Sequence, residues 1–185
     1  EIVSLAAVLF GAGQDSTVRL IAATIKTLAE RPDLQAQVRA DPRLIPTFIE
    51  EVLRLDGSTK SYFRLAKRRA KVGDIEVSPG TIIMIIQSAM NRDPRKFENP
   101  NEILMDRPNG RNHIAFGRGI HNCIGAPLAR AEARLTIEKL LARAQNIRLD
   151  ENFHGPEEAR HFDYQPNYTQ RALSNLHIKF DKINS

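Results

Sequence analysis

Apolar residues recur at spacings of three and four over the first thirty positions: Ile2, Leu5, Ala6, Leu9 and Phe10, then Leu20, Ile21, Ile25 and Leu28, with Thr24 in the same stripe. That period predicts helix with one apolar face. Arg31-Pro32 ends it, because the residue before a proline is pushed out of helical geometry. The middle is unusual: Gly11-Ala12-Gly13 precedes Gln14-Asp15-Ser16-Thr17, and two glycines cost a helix interior about 2 kcal/mol relative to alanine. Two readings are open. Either there are two helices, the second capped by Asp15 or Ser16, or one helix is loosened where something must approach its backbone closely. Further helices are predicted over 33–40 and 43–55, the latter with Leu44, Ile45, Phe48, Ile49, Val52 and Leu53 on one face.

The texture then changes. Residues 63–70 alternate loosely, Val72-Gly73-Asp74 and Pro79-Gly80 read as turns, and Ile75-Glu76-Val77 is short and extended. The β-branched run over 81–86 suits a buried strand. Residues 91–125 are rich in Pro, Gly and Asn, and irregular stretches of that length are usually functional. Pro127 opens a helix running to about Ala144, proline being suited to a first turn. Polar coil follows, and 175–180 reads as a closing strand. The class is α+β, mainly α.

Composition narrows the function. Of 185 residues, 42% are apolar and 26% charged, the balance of a globular protein with a sizeable core. No apolar run approaches the roughly 18–20 residues that span a bilayer. The 27 Lys and Arg against 22 Asp and Glu leave +5, but the basic residues are interspersed with acids. The densest run, Lys67-Arg68-Arg69 with Lys71, reads as a solvated strand or turn. With no Trp and 6% aromatics, the stacking platform of a nucleic-acid binder is missing. A single cysteine, Cys123, excludes an internal disulfide and a multi-cysteine zinc cage. The chain opens on Glu1 inside a helix, so a piece of a longer polypeptide is expected.

The strongest local pattern surrounds that cysteine: Phe116-Gly117-Arg118-Gly119-Ile120-His121-Asn122-Cys123-Ile124-Gly125-Ala126-Pro127-Leu128-Ala129-Arg130. A glycine-rich loop presents one thiol at the start of a helix, where the dipole and the amides of Ile124 and Gly125 favour a thiolate. The glycines let a flat, bulky partner come close to the main chain.

This segment resembles the haem-binding signature of cytochromes P450, Phe-Gly-x-Gly-x-His/Arg-x-Cys-x-Gly followed by Leu-Ala-Arg. The resemblance implies that Cys123 is the thiolate axial ligand of haem b iron, that His121 reaches a propionate, and that Phe116 packs beside the sulfur, with Gly117 and Gly125 shaping the loop. Glu51-Val52-Leu53-Arg54 has the Glu-x-x-Arg spacing of the family's K helix, a structural pair tying that helix to the segment before the haem loop. Arg64 and His113 match further propionate contacts, and Asn91-Arg92-Asp93-Pro94 matches a recurrent family tetrapeptide. Ala12 to Thr17 resembles the central I-helix motif. By that resemblance Ala12 lies against the cofactor, Asp15 feeds protons, and Ser16, beside Thr17, holds the reacting oxygen and its water.

The chain departs from the family pattern at two places. Ser16 stands where threonine is usual, keeping the hydroxyl but losing the methyl that restricts its rotamers. At the usual third position of the K-helix triad stands Glu102, which would face Glu51 unfavourably; either Arg107 substitutes or the register differs.

The resemblance covers the whole chain, as the C-terminal part of one P450 domain with the I, J, K and L helices, small sheets and the haem loop. Without an N-terminal half it is expected to be inactive by itself. Residues 58–63 and the turn at Tyr168 and Thr169 are expected to line the substrate pocket. Tyr62 and Phe63 imply an apolar substrate, and Lys60 either meets a carboxylate or is solvated. Arg118, Arg130 and Arg134 would offer an acidic ferredoxin a basic surface. The expected function is O2-dependent monooxygenation in a soluble, cytoplasmic bacterial enzyme, with no membrane or nucleic-acid partner. The rivals are a peroxide-using or rearranging haem-thiolate enzyme, a haem-free interaction module, and a zinc protein using Cys123, His121 and His113.

Overall fold

The first helix, α1, runs unbroken from Ile2 to Glu30, which removes the two-helix reading. In this computed structural model, which describes residues 1–183, Gly11 and Gly13 are crossed without a break and nothing else approaches them within 4 Å. What α1 buries is its C-terminal half: Thr17, Leu20, Ala23, Thr24, Thr27 and Leu28 form the inner stripe. The buried hydroxyls of Thr24 and Thr27 donate to the carbonyls of Leu20 and Ala23 at 2.7 and 2.8 Å, so their burial leaves no orphan group. The N-terminal half is equally apolar but bare, with Ile2, Val3, Leu5, Val8, Leu9 and Phe10 all exposed.

Arg31 is non-helical ahead of Pro32, and the next helix, α2 (Pro32–Ala40), starts with that proline in its first turn. Gln35 of α2 is buried and satisfied by donating to the carbonyls of Leu28 and Ile147 while accepting from Ile147 N–H. Asp41 caps a short 3-10 turn at Pro42–Leu44 by accepting from Arg43 N–H. The helix α3 (Ile45–Asp56) then buries Ile45, Phe48, Ile49, Val52 and Leu53, the face its periodicity predicts.

Three two-stranded antiparallel sheets follow. The strands β1 (Tyr62–Leu65) and β4 (Ile82–Ile85) pair with each other and enclose a hairpin of β2 (Ala70–Val72) and β3 (Ile75–Val77). Gly73 turns that hairpin at φ 59°. The run over 81–86 does form a strand, but not a buried one. Ile82, Met84 and Ile86 are exposed, because β4 has one pairing partner and no layer over it among the described residues. A one-turn helix, α4 (Gln87–Met90), leads into irregular chain that reaches α5 (Ala126–Arg143). The strand β5 (Ala144–Leu149) was not foreseen; it precedes the short helix α6 (Glu151–His154) and pairs with β6 (Ile178–Lys182), which begins three residues later than the expected closing strand.

The core lies where α1, α3, α5 and β5 meet, centred on Leu20, Leu28, Phe48, Ile49, Val52, Ala133, Ile137 and Ile147. It fixes α3 against α5, and so frames the irregular segment between them. Phe48 is fully buried there. Phe48→Ala is expected to destabilise the protein by about 3–5 kcal/mol, read as a lower urea midpoint at unchanged m-value.

Candidate functional site

Cys123 is exposed, three residues before the start of α5, at the end of a loop closed by its own backbone. Its N–H donates to the Phe116 carbonyl at 2.9 Å, and Gly117 N–H donates to Ile114 O at the same distance. Gly117 and Gly119 hold φ of 72° and 78°, conformations that favour glycine, which is why the loop carries them at these places. Gly125 has ordinary backbone angles. It lies beside the sulfur, where a methyl would make ordinary contact at 3.8 Å from the cysteine Sγ. No hydrogen bond reaches Sγ among the described residues, so Ile124 and Gly125 border the sulfur without donating to it. Around it lie Ile120 and Ile124, 96% and 91% exposed, with His121 also open to solvent. The donor set fits a haem: one accessible soft sulfur, room beside it, and an uncovered apolar border.

Behind this loop two consecutive carboxylates of α3 are buried and serve different segments. Glu51 accepts from Arg54 Nε and Nη2 at 2.8 and 2.9 Å, from Leu104 N–H at 3.1 Å, and from Arg107 Nε at 3.0 Å. Arg107 therefore completes the triad. Glu102 contributes its backbone carbonyl, which accepts from both arginines, so its side chain never faces Glu51. The remaining guanidinium N–H groups bond the carbonyls of Asn91 and Pro100 from Arg54 and those of Glu98 and Asn99 from Arg107. Burial pushes the Glu51 carboxyl up, but these contacts outweigh it and hold the group below its ordinary value. In the Asn91-Arg92-Asp93-Pro94 tetrapeptide, Asn91 Oδ1 accepts from Ile114 N–H and Arg92 bonds the Leu55 carbonyl, tying the end of α3 to the loop.

Glu50, which the sequence reading passed over, is the second carboxylate. Its Oε1 accepts from Arg130 Nε at 2.6 Å, and its Oε2 accepts from Arg130 Nη2 at 3.0 Å and faces His113 Nε2 at 2.9 Å. Ala115 N–H donates to His113 Nδ1 at 3.1 Å, so the ring proton sits on Nε2 and points at Glu50. This corrects two expectations. Both nitrogens of buried His113 are committed, so it has none to offer a propionate. Arg130 neutralises Glu50 and Arg134 pairs with Glu138, which leaves Arg118 as the one arginine of the expected basic surface without an acidic partner among the described residues.

In α1, Ser16 Oγ donates to the Ala12 carbonyl at 2.7 Å, and the exposed Asp15 carboxylate pairs with Arg19 at 2.7 Å. Thr17 lies apart from them, buried on the core stripe. Arg19 also donates to Gln170 Oε1 at 2.6 Å, joining the α1 motif to the late turn. That turn meets the segment after α3: Lys60 and Ser61 N–H donate to Thr169 O, and Ser61 Oγ donates to Tyr168 O. Arg64 is exposed on β1, its guanidinium 4.4 Å from the Tyr62 ring centroid. Among the described residues no three His, Cys, Asp or Glu side chains gather into a metal cage, which removes the zinc rival's ligand set. Likewise none of their helices is long and apolar enough to cross a membrane.

The Glu50 cluster carries a pH signature. Burial pushes its carboxyl up, but hydrogen bonds from His113 and Arg130 and the Arg130 charge bring it down from 4.5 to about 2. A depressed folded value means that its stabilisation is present above about pH 4.5 and drains as pH falls toward 2. Urea unfolding of the wild-type protein across that window is expected to lose ~3 kcal/mol on this account, and Glu50→Gln is expected to flatten the profile.

Comparison with known proteins places this arrangement. A family model described as Cytochrome P450 matches residues 1–145. Cytochrome P450 144 of Mycobacterium tuberculosis is 42% identical over 139 residues, covering 75% of this chain and 32% of that protein. Mycocyclosin synthase of the same species is 39% identical over 141 residues, 76% of this chain and 36% of that protein. The structure of Mycobacterium marinum cytochrome P450 CYP150A6 in its substrate-free form matches with a TM-score of 0.93 at 46% identity, over 95% of this chain and 43% of that one. The chain thus spans about a third of the length of the curated relatives it matches. These matches show that the chain belongs to the cytochrome P450 family.

Proposed function

We propose that this chain is the C-terminal, haem-binding part of a single P450 domain in a bacterial monooxygenase that inserts one oxygen atom of O2 into an apolar organic substrate. The observation that carries the reading is the exposed Cys123, seated at the head of α5 in a braced loop and bordered by bare apolar side chains. Haem b would be held by Cys123 Sγ, with His121 and Arg64, both exposed, available to the propionates and Ala12 at the α1 face. When bound, the haem would supply the redox chemistry, with Cys123 as its thiolate donor.

The remaining roles belong to side chains. Asp15, exposed to solvent, takes up protons at its carboxylate and passes them toward the active face, with Arg19 setting its orientation. Ser16 holds its hydroxyl proton on the Ala12 carbonyl and presents it by rotating about χ1. Lacking the γ-methyl of threonine, it rotates more freely and controls that delivery less well. Tyr62, Phe63 and the Tyr168–Thr169 turn form an apolar wall for the substrate, with Lys60 at its edge. A ferredoxin is the proposed electron donor, with Arg118 as the available cation. The bare halves of α1 and the β1–β4 sheet support the view that preceding polypeptide covers them, and that residues 1–185 by themselves are inactive.

The reading is tested by the spectrum of the dithionite-reduced, carbon monoxide-saturated protein, on this chain and on the longer polypeptide containing it. The expected result is the long-wavelength band of a thiolate-ligated carbonyl haem in the longer polypeptide, lost in Cys123→Ser; no band in either protein would favour a haem-free module. Ser16→Thr is expected to lower peroxide release per NAD(P)H consumed, and unchanged or increased release would refute the assigned role of Ser16.

A further inference from the structure

The side chains of Glu50, His113 and Arg130 converge from three parts of the chain: α3, the start of the loop and the first turns of α5. Between them they clasp the loop on both sides of its cysteine. On the upstream side, His113 also takes the Ala115 N–H, and its ring lies 6.2 Å from that of Phe116. On the downstream side, the Arg130 guanidinium sits 4.6 Å over the same Phe116 ring. The Phe116 carbonyl then accepts the Cys123 N–H at 2.9 Å. The route from the buried carboxylate to the cysteine backbone is therefore short and continuous, whereas every contact of neighbouring Glu51 goes to Arg54 of its own helix or to residues 104 and 107.

We infer that Glu50 is a positioning residue for Cys123: by fixing Arg130 and His113 against Phe116, it sets where the loop presents the sulfur. Cys123 itself is exposed, and no hydrogen bond among the described residues restrains its Sγ, so its direction depends on the loop behind it. A carboxylate with bidentate Arg130 on one side and His113 on the other has both oxygens occupied and little freedom to shift. Its depressed ionisation, caused by those partners against the opposing effect of burial, keeps the clasp charged at neutral pH. The inference rests on the proposed ligation of haem by Cys123.

The test uses the haem-loaded, full-length polypeptide and follows the ferrous carbonyl complex over time, as the thiolate band converts to the shorter-wavelength band of a haem that has lost its thiolate. Glu50→Gln and Arg130→Gln are each expected to convert about tenfold faster than wild type. The double variant should lie within about twofold of the faster single one, because the two act through one contact. Val38→Ala, a core change in α2 away from the loop, serves as the stability control, expected to lower the unfolding midpoint and leave the conversion rate alone. Wild-type conversion in the folded Glu50 or Arg130 variant overturns the proposal, as does equal acceleration in the Val38 control. If Glu50→Gln does not fold, Arg130→Gln, which alters a partly exposed side chain, decides the matter by the same comparison. A wild-type protein without the thiolate band would refute the ligation itself and is told apart from failure of the clasp.

Discussion

Most of the site's architecture depends on the burial of Glu51 between two arginines. Taking three charges out of water costs several kcal/mol per ion, and mutual attraction offsets that only when the geometry is good and the remaining donors are satisfied. Here they are. The segment from 91 to 112 forms little regular structure, so its buried carbonyls cannot be satisfied by a ladder and must find donors elsewhere. A guanidinium brings five N–H groups in a fixed fork, and Arg54 and Arg107 spend theirs on Glu51 and on carbonyls at 91, 98, 99, 100 and 102. Phe97 lies 5.2 Å beneath Arg54, giving the cation an aromatic face as well. The arginines thus template a loop with little regular structure of its own.

This explains what the letters reveal and what they withhold. The thiol loop is legible because glycine, cysteine and proline each stand where backbone geometry or chemistry singles them out: φ is positive at Gly117 and Gly119, and Pro127 lies in the first turn of α5. Glu51 and Arg54 are legible only as a spacing. That Arg107 rather than residue 102 closes the triad depends on how an irregular loop folds back, which local pattern does not encode. Glu50 escaped because an acid beside another acid on a helix resembles ordinary surface, and its two partners lie 63 and 80 positions away.

One strand went unanticipated, and another formed without the burial expected of it. In β5 the buried residues are Ala144, Ile147 and Leu149, so the alternation skips a step between 144 and 147. A register shift between Gln145 and Arg148, with Asn146 at φ 51°, puts that irregularity into the chain and hides the strand from a test for period two. The run over 81–86 fits such a test better and is a strand, yet Ile82, Met84 and Ile86 are open to solvent. Residue type records where a side chain is suited to go, whereas exposure also depends on what else packs there. The bare N-terminal half of α1 shows the same separation, since its stripe is as apolar as the buried half.

The three regions that the proposed chemistry needs are held by one helix. Along α3, Glu50 secures His113 and Arg130 on either side of the cysteine loop, and Glu51 secures the segment before it. Asp56, at the helix end, pairs with Arg171 and lies 3.8 Å from Lys26 of α1. The Lys26 ammonium is kept charged because, although burial disfavours that form, Asp56 and Glu30 outweigh it. Arg171 N–H in turn donates to Ser58 O, closing the late turn onto the segment after α3. Successive residues on a helix point about a hundred degrees apart, so Glu50 and Glu51 diverge into separate clusters while Asp56 projects from the last turn. A rigid element a dozen residues long can therefore register the sulfur-bearing loop, its support and the proposed substrate wall against a common frame. That frame is itself fixed by Phe48, Ile49 and Val52 in the core, so the packing that stabilises the fold also sets the geometry of the site.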